Sequence, residues 1–284
     1  MQGIGIGESD FKILRVKDYY FIDKSLFIKH ILDNSSKIEL ITRPRRFGKT
    51  LNMSMLRHFF DQDQKDSKKL FEGLKIMEQG ERYTEKLGAY PCIYLTFKDV
   101  KGMNFDEMMM LFQTELMELF LQHTDLLKSE KLFDGEKQII NTILNLKANK
   151  IDMQTSIKQL SRLLYREYGK PVMLFLDEYD VPLQNAYVRG FYDEVIEFFR
   201  DFYGVSFKDN QYLEKTVITG VSRVAKESIF SGANNFKVFT ILDDEFSEDF
   251  GITSEEIDKV LADFGIKENV EEIKKWYDGY RIGN

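Results

Sequence analysis

"KIELITRPRRFGKTLNMSMLRHFF" (37–60) decides the fold. Its first part, "KIELIT" (37–42), is a short apolar run of strand character. Its last part, "KTLNMSMLRHFF" (49–60), places Leu51, Met55 and Phe59 at i, i+4 and i+8 with Leu56 and Phe60 beside them, which is one apolar helical face. Between them stands "RPRRFGKT" (43–50). It ends like the phosphate-binding pattern G-x-x-x-x-G-K-[ST] and opens unlike it, with Arg43 where the first glycine belongs. The strand before and the helix after are the context that the pattern requires.

In such a loop the later backbone N–H groups face the phosphates at a helix N-terminus. Gly48 lets the backbone approach closely, Lys49 reaches the β- and γ-phosphates, and the Thr50 hydroxyl serves magnesium. Arg45, Arg46, Phe47 and Leu51 complete the expected nucleotide contacts. The first glycine eases the turn out of the strand. Arg43 is therefore expected to cost flexibility without removing a phosphate donor, so that Arg43→Gly leaves ATP affinity within a few-fold. Pro44 lacks an N–H but sits early, where a donor is least needed. An exposed basic turn before a helix is the plain alternative.

A triphosphate site also needs an acid for magnesium. "PVMLFLDEYD" (171–180) opens on five apolar residues, as a strand covered on both faces does. It ends in Asp177, expected to hold magnesium, and Glu178, expected to orient and deprotonate the attacking water. The following "ITGVSR" (218–223) offers Thr219, Ser222 and Arg223 as groups that sense the γ-phosphate. Thr219 is taken as a nucleotide contact and Arg223 as a catalytic residue, although ordinary strand-end polar residues would read the same way. Arg189 and Arg200 could serve as arginine fingers, and helix-surface salt bridges are their simpler use.

Two motifs are decoys. "NKID" (149–152) matches a guanine-reading N-K-x-D, but it precedes the Asp177 strand and follows a polar helical stretch, so it reads as a surface joint. "GIGIG" (3–7) follows no strand and opens no helix, so it is no dinucleotide fingerprint.

Elsewhere "YYFID" (19–23) is expected as a strand, "KSLFIKHILDN" (24–34) as a helix, "PCIYLTF" (91–97) as a strand and "NFDEMMMLFQTELMELFLQH" (104–123) as a long helix. "GFYDEVIEFFRDFY" (190–203) is expected as a helix and "KTVITGVS" (215–222) as a strand. Strands alternating with helices predict a mostly parallel sheet with helices on both faces, a P-loop NTPase fold of the additional-strand type. After about residue 243 the composition turns acidic, and Thr253 with Glu256 forms a capping box. The expected division is a P-loop domain over 1–243 and a small helical appendage over 244–284.

With 284 residues and a net charge of -7, the chain can bury a full core and is not a general polyanion binder. One cysteine, Cys92, allows no internal disulfide and reads as a small buried hydrophobe. Three histidines, none grouped with it, leave no zinc-site spacing. No window approaches the ~18–20 apolar residues of a membrane span, and the N-terminus lacks signal-peptide character. A cytoplasmic protein is expected.

"IGIGESDF", "YYFIDKSLFIKHIL", "RPRRFGKTLNMSML", "LFLDEYDVPL", "TGVSR" and "WYDGYRIG" together resemble the AAA-ATPase-like proteins found widely in gut bacteria and mobile elements. The resemblance spans nearly the whole chain and implies that Arg43 is the family's own form of the loop. It implies ATP and Mg2+ as ligands, and a C-terminal domain similar to PD-(D/E)xK nucleases as a neighbour or partner. That domain would begin about where "WYDGYRIGN" stands, and no D…(D/E)xK pattern appears within these residues. A homo-oligomer is compatible with the family. Two other readings stay open: a nucleotide-gated switch with negligible turnover of its own, and an interaction module with a degenerate loop.

Overall fold

The structure is a computed structural model and describes residues 2–63, 67–222, 229–230, 236–266, 272 and 283. Among them the strands are β1 (Ile38–Thr42), β2 (Cys92–Thr96), β3 (Val172–Asp177), β4 (Leu213–Gly220) and β5 (Phe236–Phe239). They form one sheet of five strands in the order β2-β3-β4-β1-β5, and every pairing is parallel. β4 is thus inserted between the strand that feeds the loop and the strand that ends in Asp177, the additional-strand arrangement. The α-helices among the described residues are α1 (Phe11–Val16), α2 (Leu26–Asp33), α3 (Lys49–Phe60), α4 (Ser67–Phe71), the single turn α5 (Glu81–Thr84) and α6 (Phe105–Leu121). α7 (Asp134–Leu144), α8 (Lys150–Tyr168), α9 (Val181–Arg189), α10 (Tyr192–Phe207) and α11 (Ser254–Asp263) follow.

The apolar runs of β1 and β3 are buried throughout because both faces of the sheet are covered. Alternation sorts their side chains. Leu40, Leu174, Leu176 and Ile218 join a core with α6, α7, α8 and α10, where Phe112, Phe198, Phe199 and Phe202 meet largely edge to face. Ile41, Met173, Phe175 and Val217 face the other way, onto Met53, Leu56, Phe59 and Phe60 of α3 and onto Phe11 and Phe27 of the N-terminal helices. Asp177 and Thr219 continue this second set, so the sheet's own pleat aims them toward the side that carries α3. Cys92 is a free thiol in the same core, as expected.

Two expectations change, and one strand, β5, was not foreseen. "YYFID" is irregular, with no strand over 19–23. β5 is an edge strand of only four residues, "FKVF", too short to stand out as an alternating run. The boundary at 243/244 cuts through packed structure. Phe246 and Phe250 belong to the same core as α3, and Phe27 packs against both rings. The acidic composition of this stretch disguised two aromatic side chains 5% and 2% exposed. Among the described residues only α11, which buries none of its residues fully, has the character of an appendage; it starts on the expected Thr253–Glu256 capping box.

"NKID" is the start of α8. Asn149 Oδ1 accepts from the N–H groups of Ile151 and Asp152, and Asp152 returns a bond to the Asn149 N–H, which is a capping box and not a base-reading loop.

Candidate functional site

Parallel strands put their carboxyl ends on one edge of the sheet, and there the expected residues converge. Thr42, the last residue of β1, pairs with Gly220, and Ile41 with Thr219. On the other flank of β4, Leu176 pairs with Ile218, so Asp177 comes level with Thr219. The central strand therefore offers Thr219 with the loop on one side and the acidic turn on the other.

The Asp177 carboxylate, 1% exposed, is the centre of the arrangement. The Thr50 hydroxyl donates to its Oδ2 at 2.7 Å, and the Thr219 hydroxyl donates to its Oδ1. Residues 127 and 42 positions away along the chain meet on one carboxylate. These are hard oxygen donors, the set that suits Mg2+ held by one or two protein groups beside phosphate oxygens. Among the described residues no group of three or more His, Cys, Asp or Glu could cage a metal without such help.

α3 begins directly after Gly48, whose φ of 78° lies in the left-handed region that glycine tolerates. No side chain caps this helix, and its first backbone bond is Asn52 N–H to the Gly48 carbonyl. The N–H groups of the first turn thus have no partner within the helix, the property that makes a helix start attractive to anions. Lys49 lies buried against the loop, its Nζ donating to the carbonyls of Arg43 at 3.1 Å and Pro44 at 2.9 Å. Burial lowers the pKa of its ammonium, and Glu178, Asp177 and Asp180 counter that by favouring the charge.

Glu178 takes φ 55°, a left-handed conformation uncommon outside glycine, asparagine and aspartate. Such strain is tolerated where surrounding structure enforces it. Here the Tyr179 N–H binds the Thr219 carbonyl and the Val181 N–H binds the Glu178 carbonyl, locking the turn on both sides. Glu178 lines a cleft of about 1190 Å³ together with Arg45, Arg46, Lys49 and Thr50. Burial raises its carboxyl above the usual range, the neighbouring Asp177 charge adds to this, and Lys49 opposes it.

Arg43 corrects the expectation of a mere turn residue. Its side chain is fully buried. Its guanidinium donates to five carbonyls: Thr42, Phe239 and Thr240 through one terminal nitrogen, Glu245 and Phe246 through the other. The cation also lies 5.4 Å from the centre of the Phe250 ring. A fork of donors in this place ties the start of the loop to β5 and to the segment after it, which no glycine could do.

Arg45 and Arg46 are exposed at the rim, as expected for residues that add charge. Phe47 turns toward the C-terminal segment: its carbonyl accepts from Gly251 N–H, and a Cβ at Gly251 would lie 3.1 Å from the ring. Leu51 lines the cleft. Ser222 is engaged with Asp180, to which both its N–H and its hydroxyl donate at 2.8 Å. Arg189 reaches the cleft wall, whereas Arg200 is an exposed residue of α10 outside it. Arg223 lies outside the described residues.

Asp180 went unassigned in the sequence. It is fully buried and also accepts from the Val221 N–H and the Gln184 amide, so it binds the acidic turn to the end of β4. A Cβ at Gly220 would sit 2.5 Å from the Tyr179 ring and 2.7 Å from Asp180 Oδ1, so this junction closes only on glycine. The run of acids in "LDEYD" was the available signal, but nothing local separates the acid that faces the cleft from the one that braces its wall.

Among the described residues no helix is long and apolar enough to cross a membrane. The chain is 25% identical over 278 residues to an uncharacterized protein from the vnfD 5' region of Azotobacter chroococcum mcd 1, an alignment that covers 95% of this chain and 46% of that protein. The chain thus spans about half the length of that relative. No solved structure matches it. The family described as Predicted AAA-ATPase matches residues 4–230, which takes in the loop, the Asp177 strand and the Thr219 strand. The chain belongs to this AAA-ATPase-like family.

Proposed function

We propose that the protein binds ATP with Mg2+ at the end of β1 and hydrolyses it. One observation carries the reading: the Thr50 and Thr219 hydroxyls converge on the buried Asp177 carboxylate, directly beside Lys49 and Glu178. A basic turn with no ligand has no reason to bring a hydroxyl at a helix start and a carboxylate at a strand end within 2.7 Å.

In this reading the uncapped start of α3 receives the phosphate oxygens, and Lys49 leaves the carbonyls of its own loop for the β- and γ-phosphates. Thr50 and Asp177 would hold Mg2+, directly or through water, and the metal when bound supplies charge neutralisation on the phosphates. Thr219, fixed on Asp177, stands where the γ-phosphate would be met. Glu178 orients a water and accepts its proton. Its raised carboxyl pKa suits that work, because a base gains strength as its pKa approaches the working pH. Catalysis rests on positioning and electrostatics and needs no covalent intermediate.

The test is equilibrium binding of a fluorescent ATP analogue alongside phosphate release, with Mg2+ and with EDTA. Binding and release that both require Mg2+ support the reading. Tight binding without release turns it into a nucleotide-gated switch, and absence of binding returns the loop to a basic turn. Coupling of this cycle to a nuclease-like domain or partner is a further part of the proposal; a release assay with and without DNA, on this chain and on one extended beyond residue 284, addresses it.

A further inference from the structure

A second cavity, of about 340 Å³, adjoins the first. Both are lined by Glu8, Arg46, Gly48 and Leu51, but Glu178 and Lys49 do not reach the second one. Its walls come from three separate parts of the chain: the N-terminal segment around Ile4 and Phe21, the loop at Phe47 and Leu51, and the C-terminal segment at Ile252, Val260 and Phe264. Of the polar side chains at its edge, Lys24, Asp249 and Asn52 already have partners, and Arg46 is shared with the first cavity. Lys24 binds Glu256 at 2.6 Å, Asp249 binds His30 Nδ1 at 2.8 Å, and the Asn52 amide binds the Asp249 carbonyl at 2.8 Å. What remains is an apolar chamber of the size that small-molecule sites occupy, about 300–1,000 Å³. Apolar chambers are poor hosts for water.

An anion seated on the N–H groups of Gly48 and Lys49 lies at the boundary between the two cavities. One end of the cleft is hydrophilic and carries Glu178. The other end runs into this chamber, where a planar ring would find Phe47, Phe264 and aliphatic side chains. We propose that the chamber is the nucleobase site, taking the heteroaromatic base of the nucleotide whose phosphates lie on the loop. The proposal rests on the phosphate-binding reading above and extends it to the whole ligand. It assigns a role to "IGIG", because Ile4 and Gly5 form one wall. Gly5 is needed there for closeness: a Cβ would lie 2.7 Å from the Leu14 side chain and 2.8 Å from the Tyr19 ring.

The chamber also explains why α11 sits where it does. It buries none of its own residues fully, yet it is pinned to the N-terminal segment by Lys24–Glu256 and by the Tyr20 hydroxyl on Asp263 at 2.7 Å, with the Tyr20 and Phe264 rings 5.0 Å apart. A base in the chamber touches both segments and strengthens their contact.

The experiment compares ATP with inorganic tripolyphosphate, which has the phosphates and no base, on wild type and on Val260→Trp. Position 260 is a half-buried site on a surface helix, so tryptophan fills the chamber without disturbing the core. Wild type should bind ATP at least tenfold more tightly than tripolyphosphate. Val260→Trp should bring ATP down to within a few-fold of tripolyphosphate and leave tripolyphosphate itself unchanged. Hydrogen exchange on wild type gives a second readout: ATP should slow amide exchange over 252–264, and tripolyphosphate should not. Equal affinity of wild type for both ligands, or full ATP affinity in a folded Val260→Trp, would overturn the base site while leaving the phosphate site intact. Failure of wild type to bind either ligand would overturn the phosphate reading and this proposal together.

Discussion

Lys49 and Glu178 lie a few residues from Asp177 in space and do different work. In the proposed reaction Lys49 acts on bound phosphates in ground and transition states alike. Lys49→Ala should therefore remove most ATP binding, and turnover with it. Glu178, as the proposed base, matters only as the water attacks. Glu178→Gln should bind ATP at least as well as wild type, since a nearby negative charge is gone, and should release phosphate roughly 100-fold more slowly. Fluorescence binding beside phosphate release separates the two. The same residue sets a pH dependence. Glu178 must be ionised to accept a proton, and burial beside Asp177 raises its pKa. The acid limb of kcat/KM, which reports the nucleotide-free enzyme, should then fall off at a pH above the ordinary glutamate value of 4.5 and should vanish in Glu178→Gln. An inflection at or below that value in a pH profile would remove Glu178 from the role of base. Arg43 shows the limit of reading a motif by position alone. Measured against the glycine pattern it is a defect, yet in the fold it is a buried five-carbonyl clamp. Arg43→Gly would leave those carbonyls without their donor, at a cost on the order of 3–5 kcal/mol. Urea denaturation should show that loss, and Arg43→Lys should recover little of it because an ammonium cannot fork.

At the scale of elements, α3 and β3 were legible because each carries one strong signal. α3 has apolar spacing along one face and a glycine before it. β3 has an unbroken apolar run, which only a strand covered on both sides needs. β5 and the segment after it were not legible. Four residues give no period, and Phe246 and Phe250 sit among acids that look like solvent-facing surface. Their burial has a measurable consequence. A chain ending at residue 243 loses both aromatic side chains and two acceptors of Arg43, so it should be insoluble or lack a cooperative unfolding transition. A chain ending after Ile252 keeps every one of these buried groups and should fold. Phe246→Ala in the full chain should cost about 3–5 kcal/mol, the usual range for a buried phenylalanine. Circular dichroism melts of the three proteins would test the boundary directly.

At the scale of the whole molecule, one ligand would touch both ends of the described chain. The loop lies between an N-terminal segment and a C-terminal segment that are pinned to each other by Lys24–Glu256 and Tyr20–Asp263. Nucleotide that binds only the folded state should stabilise all of it by mass action, about 2.7 kcal/mol at a hundred times Kd. A thermal melt should shift upward with ATP and Mg2+ in wild type and in Glu178→Gln, and stay fixed in Lys49→Ala. A shift that survived Lys49→Ala would place the nucleotide elsewhere.

The sequence by itself determined which elements exist around the site and which residues are candidates for its chemistry. Strand, loop and helix over 37–60, and the apolar strand closing on Asp177 and Glu178, are local patterns. Local spacing records them in full, because backbone periodicity and turn chemistry act over a few residues. Only the tertiary structure decided how these pieces share their surroundings. The order β2-β3-β4-β1-β5 set Thr219 against Asp177. Folding enclosed Arg43 among carbonyls from three segments, made Asp180 a brace for the acidic turn, and brought Phe246 and Phe250 into the core. Each of these depends on contacts between residues far apart in the chain, and a side chain's burial is fixed by what packs on it, which its own neighbours in sequence do not encode.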